Sequence, residues 1–266
     1  MTADVAARRA NHYHLGTQRP FNYCYIRKNG CSAFKRLFVA QSPHDFASSG
    51  LSEMAFMVRH HRATDADLSL PTVLILRDPF ERIASAFLNQ FIMRLGRNET
   101  ELHESVAHVT GTPPADLSFG TFVEGYVLKA GAALDRHFHP QASHVLPMAY
   151  SHVLSLGDVA RGMAGLLGER IATEFFGTPV NAAQRFELKN HGGDAHTPAG
   201  ALASAFAENR ALPPKSALLT AETRARLAPF LQQDAALWHA FQSADKDPIT
   251  GHVTLDLREF GLDASR

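Results

Sequence analysis

Twice in this chain an apolar run ends on a basic residue and passes through a short loop into a helical pattern. The first is Tyr23-Cys24-Tyr25-Ile26-Arg27-Lys28-Asn29-Gly30-Cys31-Ser32-Ala33-Phe34. The second is Thr72-Val73-Leu74-Ile75-Leu76-Arg77-Asp78-Pro79-Phe80-Glu81-Arg82-Ile83-Ala84-Ser85-Ala86-Phe87. Strand–loop–helix units of this kind build parallel sheets, whose strands are buried on both faces and read as unbroken hydrophobic runs. Each unit also sets cations beside a helix N-terminus, where backbone N–H groups and the helix dipole favour an anion. Two such units of complementary design point to a ligand with phosphates at both ends.

In the first unit, residues 21–27 read as a buried strand, and Asn29-Gly30 permits a tight turn with positive φ. Phe34, Leu37 and Phe38 then recur at helical spacing. The N–H groups of Gly30, Cys31, Ser32 and Ala33 are placed to cradle an oxyanion, with Lys28 over it as a point charge. The loop is not Gly-x-x-x-x-Gly-Lys-Ser/Thr, and Gly-x-Gly-x-x-Gly is absent too. A phosphatase thiolate at Cys31 would want an Arg six positions on, where the chain has Leu37. Taken alone, the loop also fits an ordinary surface strand–turn–helix.

In the second unit, Thr72–Leu76 reads as a buried strand. Asp78 is a good N-cap, Pro79 suits the first helical position, and Glu81 falls where a capping box wants it. Phe80, Ile83, Ala84, Phe87, Leu88 and Phe91 form a core-facing stripe. Arg77 is left at the strand end, and Ser85 lies one turn beyond Glu81. An Arg fork and a hydroxyl converging on one phosphate is sound chemistry. For Arg82 the plainer reading is a structural ion pair, and for Ser85 an exposed serine.

Together these phrases resemble the sulfotransferases that use 3′-phosphoadenosine-5′-phosphosulfate (PAPS), and most of all the carbohydrate branch with the chondroitin 4-O and HNK-1 enzymes. Arg77 to Phe87 is similar to that branch's 3′-phosphate motif, and Lys28-Asn29-Gly30-Cys31-Ser32 to its 5′-phosphosulfate loop, with Arg27 where many members have Pro. Asp135-Arg136-His137-Phe138-His139-Pro140-Gln141 resembles the family's acceptor-side segment, without the paired cysteines that often follow. The resemblance implies a P-loop-like α/β fold of three layers, with a central parallel sheet flanked by helices. It implies transfer of the sulfuryl group from PAPS to an acceptor hydroxyl on a carbohydrate or glycolipid, leaving PAP, with no metal. Lys28 is then catalytic, residues 28–33 (Lys28, Asn29, Gly30, Cys31, Ser32, Ala33) with Arg77 and Ser85 bind the cofactor, and His137 and His139 lie near the acceptor.

A hydroxyl acceptor needs a base near neutral pH, and histidine is the usual one. Among fifteen histidines, position favours His61 or His60, just before the second strand. The next pair is His137 and His139. A metal reading of His137, His139, His144 and His152 lacks a flanking carboxylate or Cys to complete the usual ligand set.

At 266 residues the sequence predicts an arm over 1–19 and one domain over 20–264. Net charge is near zero, so no overall basic footprint for nucleic acid exists. Cys24 and Cys31 are too few for a disulfide framework. No apolar run has membrane-spanning length. Because Golgi relatives carry an N-terminal anchor, a soluble, cytoplasmic, prokaryotic enzyme is expected. The pattern further predicts a short helix around 51–61, a polar excursion over 96–116, a helix over 117–130, a strand starting at Leu154 and a helix over 158–168. It predicts a flexible loop at 190–194, with Lys189 and His191 as candidates to close over the cofactor, and a long helix capped by Thr220. Two other readings compete: an ATP-using kinase of related fold, which lacks its Walker A and Mg²⁺-binding acid, and a non-catalytic PAP/PAPS-binding module, which would need no base.

Overall fold

Alternation along the central strands decides the layering. The computed structural model of the chain describes residues 3–178, 189–190, 192–258 and 260–261. They form two compact units: Met1–Arg77 with Gln141–Val180 and Ala236–Arg266, and Asp78–Pro140 with Asn181–Ala235.

The first unit holds a five-stranded sheet. Its strands are β1 (His12–Leu15), β2 (Phe21–Cys24), β3 (Thr72–Leu76), β4 (Ala149–Ser155) and, last in the chain, β7 (Val253–Asp256), side by side in that order. β2, β3 and β4 are parallel, in the register Cys24↔Leu74 and Leu74↔Val153, while the edge strands β1 and β7 run antiparallel. Tyr23, Val73, Ile75 and Leu154 point to one face, where they meet Phe34, Leu37 and Phe38 of α2 (Cys31–Gln41) and Met57 of α3 (Glu53–His60). Met163 of the Val159–Leu167 helix and Phe175 of the Glu169–Phe176 helix complete that layer. Cys24, Leu74, Leu76 and Val153 point to the other face, against Leu237 and Phe241 of the Gln232–Ser243 helix. Helix, sheet, helix is the three-layer α/β arrangement, and burial on both faces is why β3 is apolar at Val73, Leu74, Ile75 and Leu76 without a break.

The second unit is built on an aromatic core. Helix α4 (Pro79–Ala86), preceded in the chain by the short α1 (Ala3–Arg9) and by α2 and α3, widens into a π-turn over Phe87–Phe91. Phe87 and Phe91 pack with Phe119, Phe122, Tyr126 and Phe138, all fully buried. A two-stranded pairing of β5 (Lys189–Asn190) with β6 (Ala211–Leu212) lies in the same unit.

Several segments differ from the sequence pattern, each for a local reason. Residues 1–19, expected as an arm, contribute α1 and the edge strand β1. The expected excursion at 96–116 contains a helix, α5 (Glu101–Thr110), whose Leu102 and Val106 are buried and whose Thr100 and His103 form a reciprocal capping box. β4 begins at Ala149 rather than Leu154; Ser151 and His152 hide it, and the Ser151 hydroxyl accepts the Thr72 N–H at 3.0 Å. Thr220 does cap a helix, but it ends at Leu227, and the next starts only at Gln232, because Pro229 cannot continue the ladder. β2 stops at Cys24, short of the expected residue 27, although the Tyr25 N–H still donates to the Asn11 carbonyl at 2.7 Å, in step with the His12↔Cys24 register.

Candidate functional site

The loop after β2 lies past the carboxyl end of a parallel strand, the usual ligand side of such sheets. Lys28 has φ 70°, a left-handed conformation shared by one other non-glycine residue among those described, Arg210. Gly30, at φ 77°, is the N-cap of α2. Among the described residues no side chain caps that helix, and its first turn carries no acid, so its leading N–H groups meet no carboxylate, while the Ala33 N–H donates to the Gly30 carbonyl at 3.2 Å. Lys28, Gly30, Cys31 and Ser32 are half-buried; Asn29 and Ala33 are buried. Beneath the loop, the rings of Tyr23 and Phe34 stack at 3.9 Å. Burial pushes the Tyr25 phenol above its ordinary range, and the hydrogen bond it shares with the Cys31 thiol adds to the rise.

A buried amide pair fastens this loop to the end of β3. The Asn29 side-chain N–H₂ donates to the Ile75 carbonyl at 2.7 Å and to Gln141 Oε1 at 2.6 Å. Gln141 Oε1 also accepts the Arg77 N–H at 3.2 Å, while its own N–H₂ donates to the Arg77 carbonyl at 2.9 Å. The Arg77 guanidinium in turn donates to the Lys28 carbonyl at 3.3 Å. Lys28, Asn29, Gly30 and Arg77, far apart in sequence, thus share one site. Asn29 Oδ1 is buried there with no hydrogen-bond partner among the described residues. Gln141 is the residue that sequence reasoning missed. Its signal was faint: a polar residue closing the Asp135–Gln141 phrase, fully buried in the fold.

Ser85 stands half-buried on α4 in the second unit, its hydroxyl without a hydrogen bond among the described residues. The start of α4 is as expected: Asp78 accepts the Glu81 N–H at 2.8 Å, with Pro79 in the first turn. Glu81 pairs with Lys215. Arg82 is fully buried and donates to the main-chain carbonyls of His137, at 3.1 Å, and of His139. Through these bonds it braces the loop that carries the two histidines.

The four candidate histidines differ sharply. His61 is buried, its Nδ1–H donating to the His14 carbonyl at 3.1 Å and its Nε2 accepting from the Ser42 hydroxyl at 2.9 Å. It lies beside His14, which pairs with Asn22 two residues before the end of β2. Burial lowers its pKa, partly offset by the His14 carbonyl. His60, half-buried, stacks on His44 at 4.3 Å; partial desolvation, then the His44 and Arg59 charges, lower its pKa. His137 is half-buried and donates Nδ1–H to Asp135 Oδ1 at 2.7 Å. His139 turns its Nε2–H to the Leu134 carbonyl at 2.9 Å. Lys189 is exposed at the start of β5; His191 lies outside the described residues. Among the described residues no group of three or more His, Cys, Asp or Glu side chains is arranged to hold a metal ion, and no helix is long and apolar enough to cross a membrane.

With this geometry in hand, comparison with known proteins gives one family. The profile described as "Sulfotransferase family" matches residues 11–167. That is more than half of the chain and includes both strand–loop–helix units and the Asp135–Gln141 segment. The chain belongs to the sulfotransferase family and is a sulfotransferase. No curated protein and no solved structure matches it.

Proposed function

We propose that the chain transfers the sulfuryl group of PAPS to a hydroxyl of a carbohydrate or glycolipid. The observation that carries this reading is the uncapped N-terminus of α2, with Lys28 and Arg77 joined beside it through the Lys28 carbonyl. The amides of Gly30, Cys31, Ser32 and Ala33 receive the 5′-phosphosulfate, and Asn29 holds their loop in shape. Lys28 neutralises charge on the bridging oxygen as PAP leaves. Arg77 and the Ser85 hydroxyl take the 3′-phosphate. In the transfer, the bond from sulfur to the bridging phosphate oxygen breaks as a bond from the acceptor oxygen to sulfur forms. The acceptor proton passes to a histidine, with His60, His61 and His137 as the residues to compare and His139 beside the acceptor. Positioning and electrostatics supply most of the rate, as in phosphoryl transfer.

Calorimetric titration with PAP, ADP and ATP on wild type and Arg77→Ala tests the donor. The expected result is tight PAP binding that needs Arg77, with weak ADP binding, since ADP lacks the 3′-phosphate. Binding of ATP as tight as PAP would overturn the reading in favour of a kinase. PAP binding without any transfer would leave a nucleotide-sensing module.

A further inference from the structure

We infer that Asp135 and His137 form the proton-accepting dyad of this enzyme, an inference that rests on the sulfuryl-transfer reading above. Asp135 Oδ1 accepts both the His137 Nδ1–H, at 2.7 Å, and the His137 backbone N–H, at 2.8 Å. One carboxylate oxygen therefore fixes the tautomer and the ring together. The tautomer leaves the lone pair on Nε2, which carries no hydrogen bond among the described residues, and the side chain is 23% exposed. A histidine held at Nδ1 by a carboxylate and open at Nε2 is the arrangement that accepts a hydroxyl proton and then shelters the imidazolium.

The loop bearing the dyad is built from below. Phe138 is fully buried between the two histidines. The Tyr126 hydroxyl accepts the Asp135 N–H and donates to the Ala133 carbonyl, each at 3.0 Å. The buried Arg82 holds the carbonyls of His137 and His139. Such a frame keeps a ring within the tolerance that proton transfer needs. His139 has Nε2 committed to the Leu134 carbonyl, and His61 has both ring nitrogens committed. In the chain His137 stands four residues before Gln141, the side chain that brackets Asn29 and Arg77. Charged groups near His137 include Asp135, Arg82, which donates to the His137 carbonyl, and Arg136, which precedes it in the chain and is exposed. In the step itself, the acceptor O–H bond breaks toward Nε2 and the acceptor oxygen bonds to sulfur. PAP leaves with the electron pair of the broken S–O bond, and the imidazolium returns its proton to water.

The test uses the full chain, PAPS as donor and chondroitin as acceptor, with water as the fallback acceptor, and PAP titrated separately. His137→Ala is expected to lose about 10²–10⁴-fold in kcat with PAP affinity unchanged, and added imidazole is expected to restore part of the rate. Asp135→Asn is expected to lose at least about tenfold in kcat with little change in the acceptor KM. Rescue by imidazole separates a lost base from a loosened loop, because a loosened loop gains nothing from it. Loss of kcat without rescue, or near-normal turnover in His137→Ala, overturns the inference. Equal loss with imidazole rescue in His61→Ala moves the role there. A wild type that does not bind PAP overturns the donor reading itself. A wild type that binds PAP but transfers to neither acceptor removes the reaction and the base together.

Discussion

Helices α2 and α4 each follow a central strand of the sheet, yet their N-termini are opposites. α2 opens on a left-handed Gly30 with no side-chain cap and no acid in its first turn. α4 opens on Asp78, whose carboxylate takes the Glu81 N–H, and carries Pro79 and Glu81 in its first turn. A helix end without a carboxylate invites an anion through its backbone; one already holding carboxylates repels it. On the proposed reading the two segments therefore work differently: α2 offers backbone amides, whereas the second segment offers side chains. The sequence layout, a basic residue before a helix start, looks the same in both.

The largest expected effect strikes the open end. Lys28→Ala should lower transfer by about 10²–10³-fold, or about 3–4 kcal/mol, as for loss of one donor to developing charge. PAP affinity should change far less, because Lys28 acts on charge that grows during the reaction. Steady-state kinetics beside calorimetry would show it, and an equal drop in both would recast Lys28 as a plain binding residue.

Next comes acid, which tests the sheet unit carrying the open helix. His12 is fully buried, with Nδ1–H donating to the Arg8 carbonyl at 3.2 Å and Nε2 accepting from the Tyr150 hydroxyl at 2.8 Å. Burial lowers its pKa from 6.5 to about 4. The unfolded chain therefore binds a proton between those values that the folded chain does not. Stability is fully present above about pH 6.5 and falls as pH drops toward 4, by on the order of 3 kcal/mol from this one group. Denaturant melts at pH 7 and pH 4.5 on wild type and His12→Gln would reveal it; an unchanged pH response in the variant would discard the assignment.

A sharper probe converts one helix end into the other. Ser32→Asp places a carboxylate in the first turn of α2, as Glu81 stands in α4. The helix should gain about 0.3–1 kcal/mol from its dipole, while PAP affinity should fall at least about tenfold through like-charge repulsion. If PAP binds the variant as well as wild type, no phosphate sits on α2. The smallest effect is the mirror case. Asp78→Ala should cost about 1 kcal/mol of stability through the lost cap and leave PAP affinity within a few-fold, which thermal melts and calorimetry would establish together.

Much of the fold could be read from local pattern, because burial on both faces writes itself into consecutive residues. Thr72–Leu76 is a strand with the bounds expected, and Pro79 opens a helix where Asp78 predicts it. β4 escaped notice because Ser151 and His152 interrupt its apolar run, though the Ser151 hydroxyl is paired with Thr72 in the fold. Helix α5 escaped because Thr100, Glu101, His103 and Glu104 read as polar loop, when Leu102 and Val106, with His103, form its buried face. At the site, Lys28, Asn29, Gly30 and Arg77 were legible as chemistry. Gln141 was not, since nothing near it in sequence tells that a buried amide is needed 64 residues beyond Arg77.

The sequence by itself determined the class of fold, the two strand–loop–helix units and the sulfotransferase family, because backbone propensity, capping and hydrophobic period act over a few residues. Only the tertiary structure decided which helix end stays open, which side chain joins Asn29 to Arg77, and how each candidate histidine is held. Each of those turns on which distant group a donor or acceptor meets, and hydrogen bonds between remote residues leave no period in the chain to read.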